Sequence, residues 1–446
     1  MEKQTVCLLS PCCCAVLLLA LGSRIATAQE GAPTYAPPPN GDYGGIGPFD
    51  VFEDHFTNPV YPTANGETLV VSVFHPNATI NPSLPTIFFA HGFASPIGYP
   101  VYYGSLLTNL ASRGNNVVFS PYEGGSSPNA FKRFDELTTG FEAAVTSYHL
   151  NTNLTGFTGH SYGAGFLPAV VQHEMMGKGS FYSPTIHNTW GKDGAFMFSM
   201  SPSEAYGGGR EISVADTQTI YFPANLNVIE QVFYDDTSIA DPRLAIDIFY
   251  NITTLNSQKE FLTVHGDDHG TPAQVASHLL PNPTPSSSLQ AWAILRHIDA
   301  LADYTFTGNI SAWRIALGNG AVDETYVGAW SDGVSVVPTG ATDIPNPSNY
   351  PTGPFVADWN LVANPRLRFP LVSGPPQISG LSVATGQAML TVSGLLIDHN
   401  YLEQVCSDFG TVNWSNALSF VATQSSQSFT NAIGNSVRQF WRIQVP

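Results

Sequence analysis

Apolar runs and stretches of helical spacing alternate between residues 67 and 305. The apolar runs have the length of β-strands and lie at 67–76, 85–92, 115–124, 154–159, 194–202, 225–236 and 259–268. Segments with apolar residues at helical spacing lie between or after them, at 101–114, 131–150, 162–179, 241–253 and 288–305. Because most of the strands are unbroken apolar runs, the pattern predicts an α/β fold, with a mostly parallel sheet and helices on both faces.

The pattern changes near residue 365. From there to the closing QFWRIQVP, short stretches of alternating apolar and polar residues are separated by Gly, Asn and Ser. No helical period is present, so we predict a small C-terminal all-β sandwich domain over 365–446. The α/β domain is predicted over 29–364, with an irregular Pro/Gly-rich lead at its start and a Pro/Asn-rich linker at 342–354.

The first 28 residues have the features of a targeting segment. They combine Lys3, an apolar run over 7–22 and the small residues Ala-Thr-Ala ending at Ala28. This predicts a secretory signal peptide over 1–28, cleaved after Ala28, and a secreted or periplasmic protein. A retained N-terminal anchor is the alternative, but the run is shorter than the roughly 20 residues of a membrane span. Four of the five cysteines lie here, so only Cys406 remains and neither an internal disulfide nor a thiolate metal site is expected.

Composition narrows the class of protein. Of the 446 residues, 43% are apolar and only 11% are charged, which indicates a packed globular chain rather than a disordered one. The formal net charge is −18. Nucleic acids and anionic membrane surfaces attract clustered Lys and Arg, so neither is expected as a partner.

The segment TGFTGHSYGAG at 155–165 carries the strongest chemical signal. Ser161 stands between Gly159 and Gly163, after a predicted strand and before a predicted helix. In this context G-x-S-x-G predicts a sharp turn that presents a nucleophilic serine, and the backbone N–H of the next residue, Tyr162, is expected to bind an oxyanion. The alternative is an ordinary glycine-rich turn. We expect His160 to be part of this turn.

A serine nucleophile needs a base and an orienting acid further along the chain. Asp235 and Asp236 follow the strand at 225–236, where either one could instead cap the next helix. The region after the last predicted strand offers His269 and His278, whereas His265 lies within the apolar run and is expected to pack there. The residues alone leave both choices open.

With its GHSYG, HGF and ASHLLPN strings, the chain resembles serine esterases of the α/β-hydrolase superfamily. The similarity is to bacterial cutinases and polyester hydrolases, dienelactone hydrolases and chlorophyllases, and it covers about residues 65–305. It implies an α/β-hydrolase fold, His278 as the catalytic base, Asp236 rather than Asp235 as the acid, and the Phe93 N–H as a second oxyanion donor. The chain departs from this group by longer stretches between nucleophile and acid, and it lacks the group's C-terminal disulfide.

The resemblance implies a secreted serine hydrolase that cleaves carboxylic esters through an acyl-enzyme. No cofactor and no metal are expected, and the ester is the expected partner. An amidase or peptidase with the same triad is one alternative. Another is a catalytically inactive surface-binding protein whose C-terminal domain contacts a polymer or glycan. Five aromatic residues are expected either to wall the cleft or to belong to the core: Phe93, Tyr99, Tyr102, Tyr103 and Tyr162.

Overall fold

The computed structural model describes most of the chain after the predicted signal peptide. The described residues are 32–94, 98–124, 130–177, 186, 190–204, 220–283, 287–367, 371, 376–384, 386–395, 400–406, 414–424, 426–432 and 439–444. The predicted signal peptide lies outside them, as do most of the two long stretches between nucleophile and acid. Within the described part, no helix combines the length and the apolar character that a membrane crossing requires.

Nine strands of the described residues form the central sheet. They are β1 (Val51–Thr57), β2 (Val70–Pro76), β3 (Pro85–Ala90), β4 (Asn116–Phe119), β5 (Asn151–His160), β6 (Gly194–Met200), β7 (Leu226–Phe233), β8 (Lys259–Val264) and β9 (Gly340–Thr342). Their spatial order is β1-β2-β4-β3-β5-β6-β7-β8-β9. The six strands from β4 to β8 in this order pair in parallel, whereas β1, β2 and β9 pair antiparallel at the two edges. The predicted mostly parallel sheet is therefore confirmed.

Two edge strands were not predicted. β1 is largely exposed and carries polar residues, and β9 is only three residues long, so neither gives an apolar run. A short hairpin, in which the two-residue strands Thr63–Ala64 and Glu67–Thr68 pair, precedes β2. Regular structure begins at residue 51, directly after the predicted irregular lead, because β1 pairs there with β2 along seven residues.

Helices cover both faces of the sheet, as predicted. They are α1 (Gly104–Ser112), α2 (Ala130–Tyr148), α3 (Tyr162–Val171), α4 (Pro242–Asn251), α5 (Arg296–Thr307), α6 (Ile310–Ala316) and α7 (Val322–Thr325). Leucines of α1 and α5 pack with Phe89 on one face. Apolar residues of α2, α3 and α4 pack with Phe88 on the other face. Neighbouring strand residues thus enter different cores, which explains why the interior strands carry apolar side chains on both faces.

Two of the long helices contain π-helical turns. Gln172–Met176 extends α3, and Ala291–Leu295 connects the short helix Ser288–Gln290 to α5. Side-chain nitrogens of Gln231 and His297 lie 2.8 and 3.0 Å from the Ala293 carbonyl oxygen. Among the described residues there are also short 3₁₀ helices at Pro100–Tyr103, Asn256–Gln258 and Pro347–Asn349.

The C-terminal part contains two small antiparallel sheets, which confirms the predicted change to β-structure. Its strands are β10 (Gln377–Ala384), β11 (Gln387–Ser393), β12 (Asn400–Cys406), β13 (Ser415–Val421), β14 (Ser426–Ala432) and β15 (Phe440–Gln444). They are ordered β10-β11-β14 and β13-β12-β15. Val392 and Phe429 of one sheet share an apolar cluster with Tyr401 and Phe420 of the other.

The segment that joins the two parts packs against the α/β part. Arg366 is fully buried, and its Nε lies 2.9 Å from Asp247 Oδ2 on α4. Trp359 donates its backbone N–H to Asp241, which caps the same helix. The first residues after the boundary at 364/365 are therefore held by the α/β part, and the small sheets begin only at Gln377.

Candidate active site

Ser161 occupies the turn between β5 and α3. Its backbone has φ 57° and ψ −123°, a conformation that side chains other than glycine rarely adopt and that costs about 1–3 kcal/mol. The turn is fixed by main-chain bonds, because the Ser161 N–H donates to Met200 O at 2.9 Å and its carbonyl accepts from Ser203 N–H at 3.1 Å. A strained, firmly held serine is what the G-x-S-x-G pattern predicts at this junction.

The two flanking glycines are required by close backbone approach. A Cβ added to Gly163 would lie 2.3 Å from the carbonyl oxygens of both Ala90 and His91. A Cβ on Gly159 would lie 3.0 Å from the backbone of Gly163. The glycine spacing therefore reflects the crossing of α3 against the ends of β3 and β5.

Ser161, His278 and Asp236 form a continuous hydrogen-bonded series. Ser161 Oγ lies 2.8 Å from His278 Nε2, and His278 Nδ1 lies 2.6 Å from Asp236 Oδ2. The three residues are 7%, 7% and 5% exposed. They come from the turn after β5, the turn after β7 and the loop after β8, so the structure brings the three predicted side chains together at the carboxyl edge of the parallel strands.

Asp236 is surrounded by hydrogen-bond donors. Its Oδ1 accepts the Ile239 N–H at 3.0 Å, and its Oδ2 accepts the Ala240 N–H at 3.3 Å as well as the bond from His278. Burial acts to raise the pKa of Asp236, but the hydrogen bond and charge of His278 and the other donors outweigh it, so the pKa lies below its ordinary value. The carboxylate is therefore held ionised and fixes a hydrogen on His278 Nδ1, which leaves Nε2 to accept the Ser161 proton.

Ser201 is a member of this cluster that the sequence reasoning missed. It directly follows β6, has φ 46° and is 3% exposed. Its hydroxyl donates to Asp236 Oδ2 at 3.1 Å and lies 3.4 Å from His278 Nδ1. The signal available was positional, because Ser201 follows its strand as Ser161 follows the neighbouring strand β5.

The alternative acid and bases make other contacts. Asp235 Oδ2 accepts the Ala276 N–H at 2.9 Å, so this side chain supports the loop that carries His278. His269 Nε2 pairs with Asp332 Oδ2 at 2.8 Å in a half-exposed position. His265 lies just after β8 rather than within it, in a half-buried position, and its ring centre lies 4.8 Å from that of Tyr234.

Both residues expected to donate to an oxyanion lie beside Ser161. A Cβ on Gly92 would lie 3.2 Å from Ser161 Cβ, which places the loop that includes Phe93 next to Ser161. The Phe93 and Tyr162 rings meet edge to face with their centres 6.1 Å apart. The side chains of the two predicted donors are thus in contact with each other.

Arg133 of α2 also reaches these two rings, which the sequence did not indicate. Its guanidinium carbon lies 5.2 Å from the ring centres of both Phe93 and Tyr162, within the range of a cation–π contact. Its Nη1 donates to the Tyr162 hydroxyl at 3.2 Å, and its Nε donates to the Glu123 carbonyl at 2.8 Å. Nearby, burial raises the pKa of Glu204 to about 7 although the charge of Arg133 opposes this.

The five aromatic residues divide between surface and core. Phe93 and Tyr102 are each 52% exposed, and Tyr99 is also exposed. Tyr103 and Tyr162 are buried. The first three can contact an apolar part of a ligand at the surface, whereas the last two are structural parts of the site.

Two other features of the described residues lie apart from the triad. A cavity of about 760 Å³ is lined by residues that include Tyr43, Trp292 and Asp299 and contains none of the three triad residues. Ligand atoms of Glu142, His173 and Glu174 lie within 4.8 Å of one another on α2 and the π-helical turn after α3, a set that could hold a metal ion. Neither feature includes Ser161, His278 or Asp236.

Comparison of the sequence with protein-family models gives no match, and comparison with curated proteins gives none either.

Proposed function

We propose that this protein is a serine hydrolase with an α/β-hydrolase fold that cleaves carboxylic esters through an acyl-enzyme. The observation that carries the proposal is the hydrogen-bonded series from Ser161 through His278 to Asp236, formed at a strained strand-to-helix turn. A serine alcohol becomes a nucleophile only when a base accepts its proton, and this series supplies that base with its tautomer already fixed.

The placement of the residues along the chain supports the finer assignment of the fold. Nucleophile, acid and histidine follow in that order, after β5, β7 and β8. The loop that carries Phe93, the second expected oxyanion donor, follows β3 and precedes α1. This combination of chain order, glycine-flanked turn and loop position is typical of α/β-hydrolases.

The proposed reaction proceeds in two halves. In the first, His278 Nε2 takes the proton of Ser161 Oγ as this oxygen attacks the ester carbonyl carbon, and the backbone N–H groups of Phe93 and Tyr162 hold the oxyanion. The tetrahedral intermediate then collapses, the C–O bond to the alcohol breaks, and His278 gives its proton to the leaving oxygen. In the second half, His278 activates water, which attacks the acyl carbon and releases the acid and the free Ser161 hydroxyl.

The preference for esters follows from the resemblance to serine esterases, and exposed aromatic residues agree with a substrate that carries an apolar group. Phe93, Tyr99 and Tyr102 are exposed aromatic residues that suit an apolar acyl or aryl group. An amidase or peptidase would use the same triad, and a surface-binding protein would need none of it. The substrates and a covalent probe therefore separate these classes.

The test combines covalent labelling with turnover. We expect a fluorophosphonate probe to label the wild-type protein once and to leave Ser161→Ala unlabelled, and we expect p-nitrophenyl esters to be hydrolysed faster than the matching p-nitroanilides. Faster anilide cleavage would favour an amidase. A folded wild-type protein that neither reacts with the probe nor hydrolyses either substrate would overturn the proposal in favour of a binding role.

A further inference from the structure

A second chain of hydrogen bonds runs behind the triad and joins three separate segments. The Gly92 N–H donates to the Tyr103 hydroxyl oxygen at 2.8 Å, and this oxygen lies 2.9 Å from His160 Nδ1. The other ring nitrogen, His160 Nε2, lies 2.8 Å from the carbonyl oxygen of His278. Tyr103 and His160 are 4% and 3% exposed, so water does not replace these bonds readily.

The donors and acceptors in this hydrogen-bond network are set by its two ends and by the protonation state of His160. The His278 carbonyl only accepts, so His160 Nε2 carries a hydrogen and donates it. The Gly92 N–H only donates, so the Tyr103 oxygen accepts it. Burial, reinforced by the charge of His278, lowers the pKa of His160 well below its ordinary value, so its ring is neutral and Nδ1 accepts the Tyr103 hydroxyl proton.

These contacts connect the parts of the site that must stay aligned. His160 directly precedes Ser161, and Gly92 directly precedes Phe93. Two residues before His278, the Ala276 N–H donates to Asp235, which holds the His278 loop against the turn after β7. The His160 ring therefore links the nucleophile turn to the histidine loop on one side and, through Tyr103, to the oxyanion loop on the other.

We propose that His160 and Tyr103 are positioning residues that keep the base and the oxyanion donors aligned with Ser161. This inference rests on the proposed hydrolase function, because alignment matters only if Ser161 attacks a substrate. The hydrogen bonds of both side chains go to each other and to backbone groups, not to Ser161 Oγ or His278 Nε2. His160 must also stay neutral in this role, because its ring centre lies 4.8 Å from that of His278, which becomes a cation during each proposed turnover.

The test compares variants that remove different hydrogen bonds of this series. His160→Leu removes the donor and the acceptor, whereas His160→Gln keeps an N–H for the His278 carbonyl and an oxygen for Tyr103. Tyr103→Phe removes only the hydroxyl. We expect kcat per titrated active site to fall about 10- to 100-fold in His160→Leu with KM changed little, because small misplacements of reacting groups cost rates of this order.

The conservative variant and the double variant distinguish positioning from general loss of structure. We expect His160→Gln to recover most of the lost kcat. Because both residues belong to one series of hydrogen bonds, Tyr103→Phe combined with His160→Leu should lower kcat little more than His160→Leu alone. His297→Leu is the matched control, since His297 is a fully buried histidine whose two ring nitrogens lie 3.0 Å from backbone carbonyl oxygens of α7 and the π-helical turn. It should lower the melting temperature without lowering kcat per titrated site.

The outcomes also separate this inference from the function on which it rests. An active wild type, an inactive Ser161→Ala and a folded His160→Leu with undiminished kcat per site would overturn the positioning role and leave the hydrolase intact. If His160→Leu does not fold, Tyr103→Phe decides, and wild-type kcat per site in that variant would overturn the inference. An inactive wild type would refute the hydrolase proposal and the inference with it.

Discussion

Replacing Asp236 by Asn is the sharpest test of the proposed triad, because the two side chains have nearly the same shape. The carboxylate accepts from four donors and donates to none: His278, Ser201, Ile239 and Ala240. A carboxamide has one oxygen, so its NH₂ must face at least one of them. The donors that it faces decide the effect on activity.

The fixed donors determine how the carboxamide introduced by Asp236→Asn lies. The Ile239 N–H at 3.0 Å cannot reverse, so the amide oxygen stays on that side. On the other side, His278 and Ser201 can each move a hydrogen and become acceptors, and only the longer 3.3 Å bond from the Ala240 N–H is lost. The NH₂ therefore faces His278 Nδ1, and the histidine hydrogen moves to Nε2, where it blocks proton transfer from Ser161.

The predicted magnitudes differ strongly between rate and stability. A histidine held in the wrong tautomer lowers kcat by about 10⁴-fold, which corresponds to about 5 kcal/mol in the activation free energy. The loss of one long backbone hydrogen bond costs about 1 kcal/mol of folding stability. We therefore expect a protein that melts close to the wild-type temperature and is almost inactive.

The assay measures kcat on a p-nitrophenyl ester and thermal unfolding on the same preparations. Asp235→Asn is the matched control, because an amide oxygen can keep the single bond from the Ala276 N–H. That variant should stay within about threefold of wild type, as expected for a change of less than about 0.5 kcal/mol. An Asp236→Asn protein that keeps a tenth of the wild-type kcat would refute the reasoning, and a loss of about 10⁴-fold in Asp235→Asn would transfer the role to Asp235.

Two further predictions concern stability. Gly163→Ala places a methyl group 2.3 Å from two backbone oxygens, so we expect the free energy of unfolding to fall by about 3 kcal/mol and ester hydrolysis to be lost. Gly104→Ala is the control, because its methyl group meets no atom within 4 Å, and it should leave stability and hydrolysis unchanged. Equal melting temperatures for the two variants would contradict this. Burial raises the pKa of Glu230 to about 8, so the folded state keeps a proton that the unfolded state releases. The resulting stability is complete below the ordinary carboxyl pKa and is lost as pH rises through about 8, with a slope of about 1.4 kcal/mol per pH unit. Glu230→Gln should flatten the pH dependence of thermal unfolding, and parallel curves for the two proteins would refute the assignment.

The parts of the fold that were predictable are those buried on both faces. β6, β7 and β8 consist entirely of buried residues, so their apolar runs stand out in the sequence. β1 and β9 form because a neighbouring strand offers free backbone groups at each edge, and their side chains carry little trace of this pairing. Local patterns therefore predict the interior of the sheet and miss its edges.

The site was predictable to the extent that it depends on backbone geometry. Ser161 was found through Gly159 and Gly163, whose absent side chains are a direct consequence of close packing. The choice of His278 over His269 came from resemblance, because the loop after β8 is positioned by contacts such as that between Ala276 and Asp235, which no local pattern records.

The strained turns show why these side chains depend on the buried sheet behind them. Ser161 and Ser201 end neighbouring strands with positive φ, each at a cost of about 1–3 kcal/mol. The Ser161 N–H donates to Met200 O, and the Ser201 N–H donates to Gln231 O at 2.7 Å, so each turn is tied to the next strand of the sheet. Because the strands are packed on both faces, neither turn can relax without breaking these bonds. The same rigidity that stores the strain holds two hydroxyl groups on opposite sides of the His278 ring, one at Nε2 and one near Nδ1.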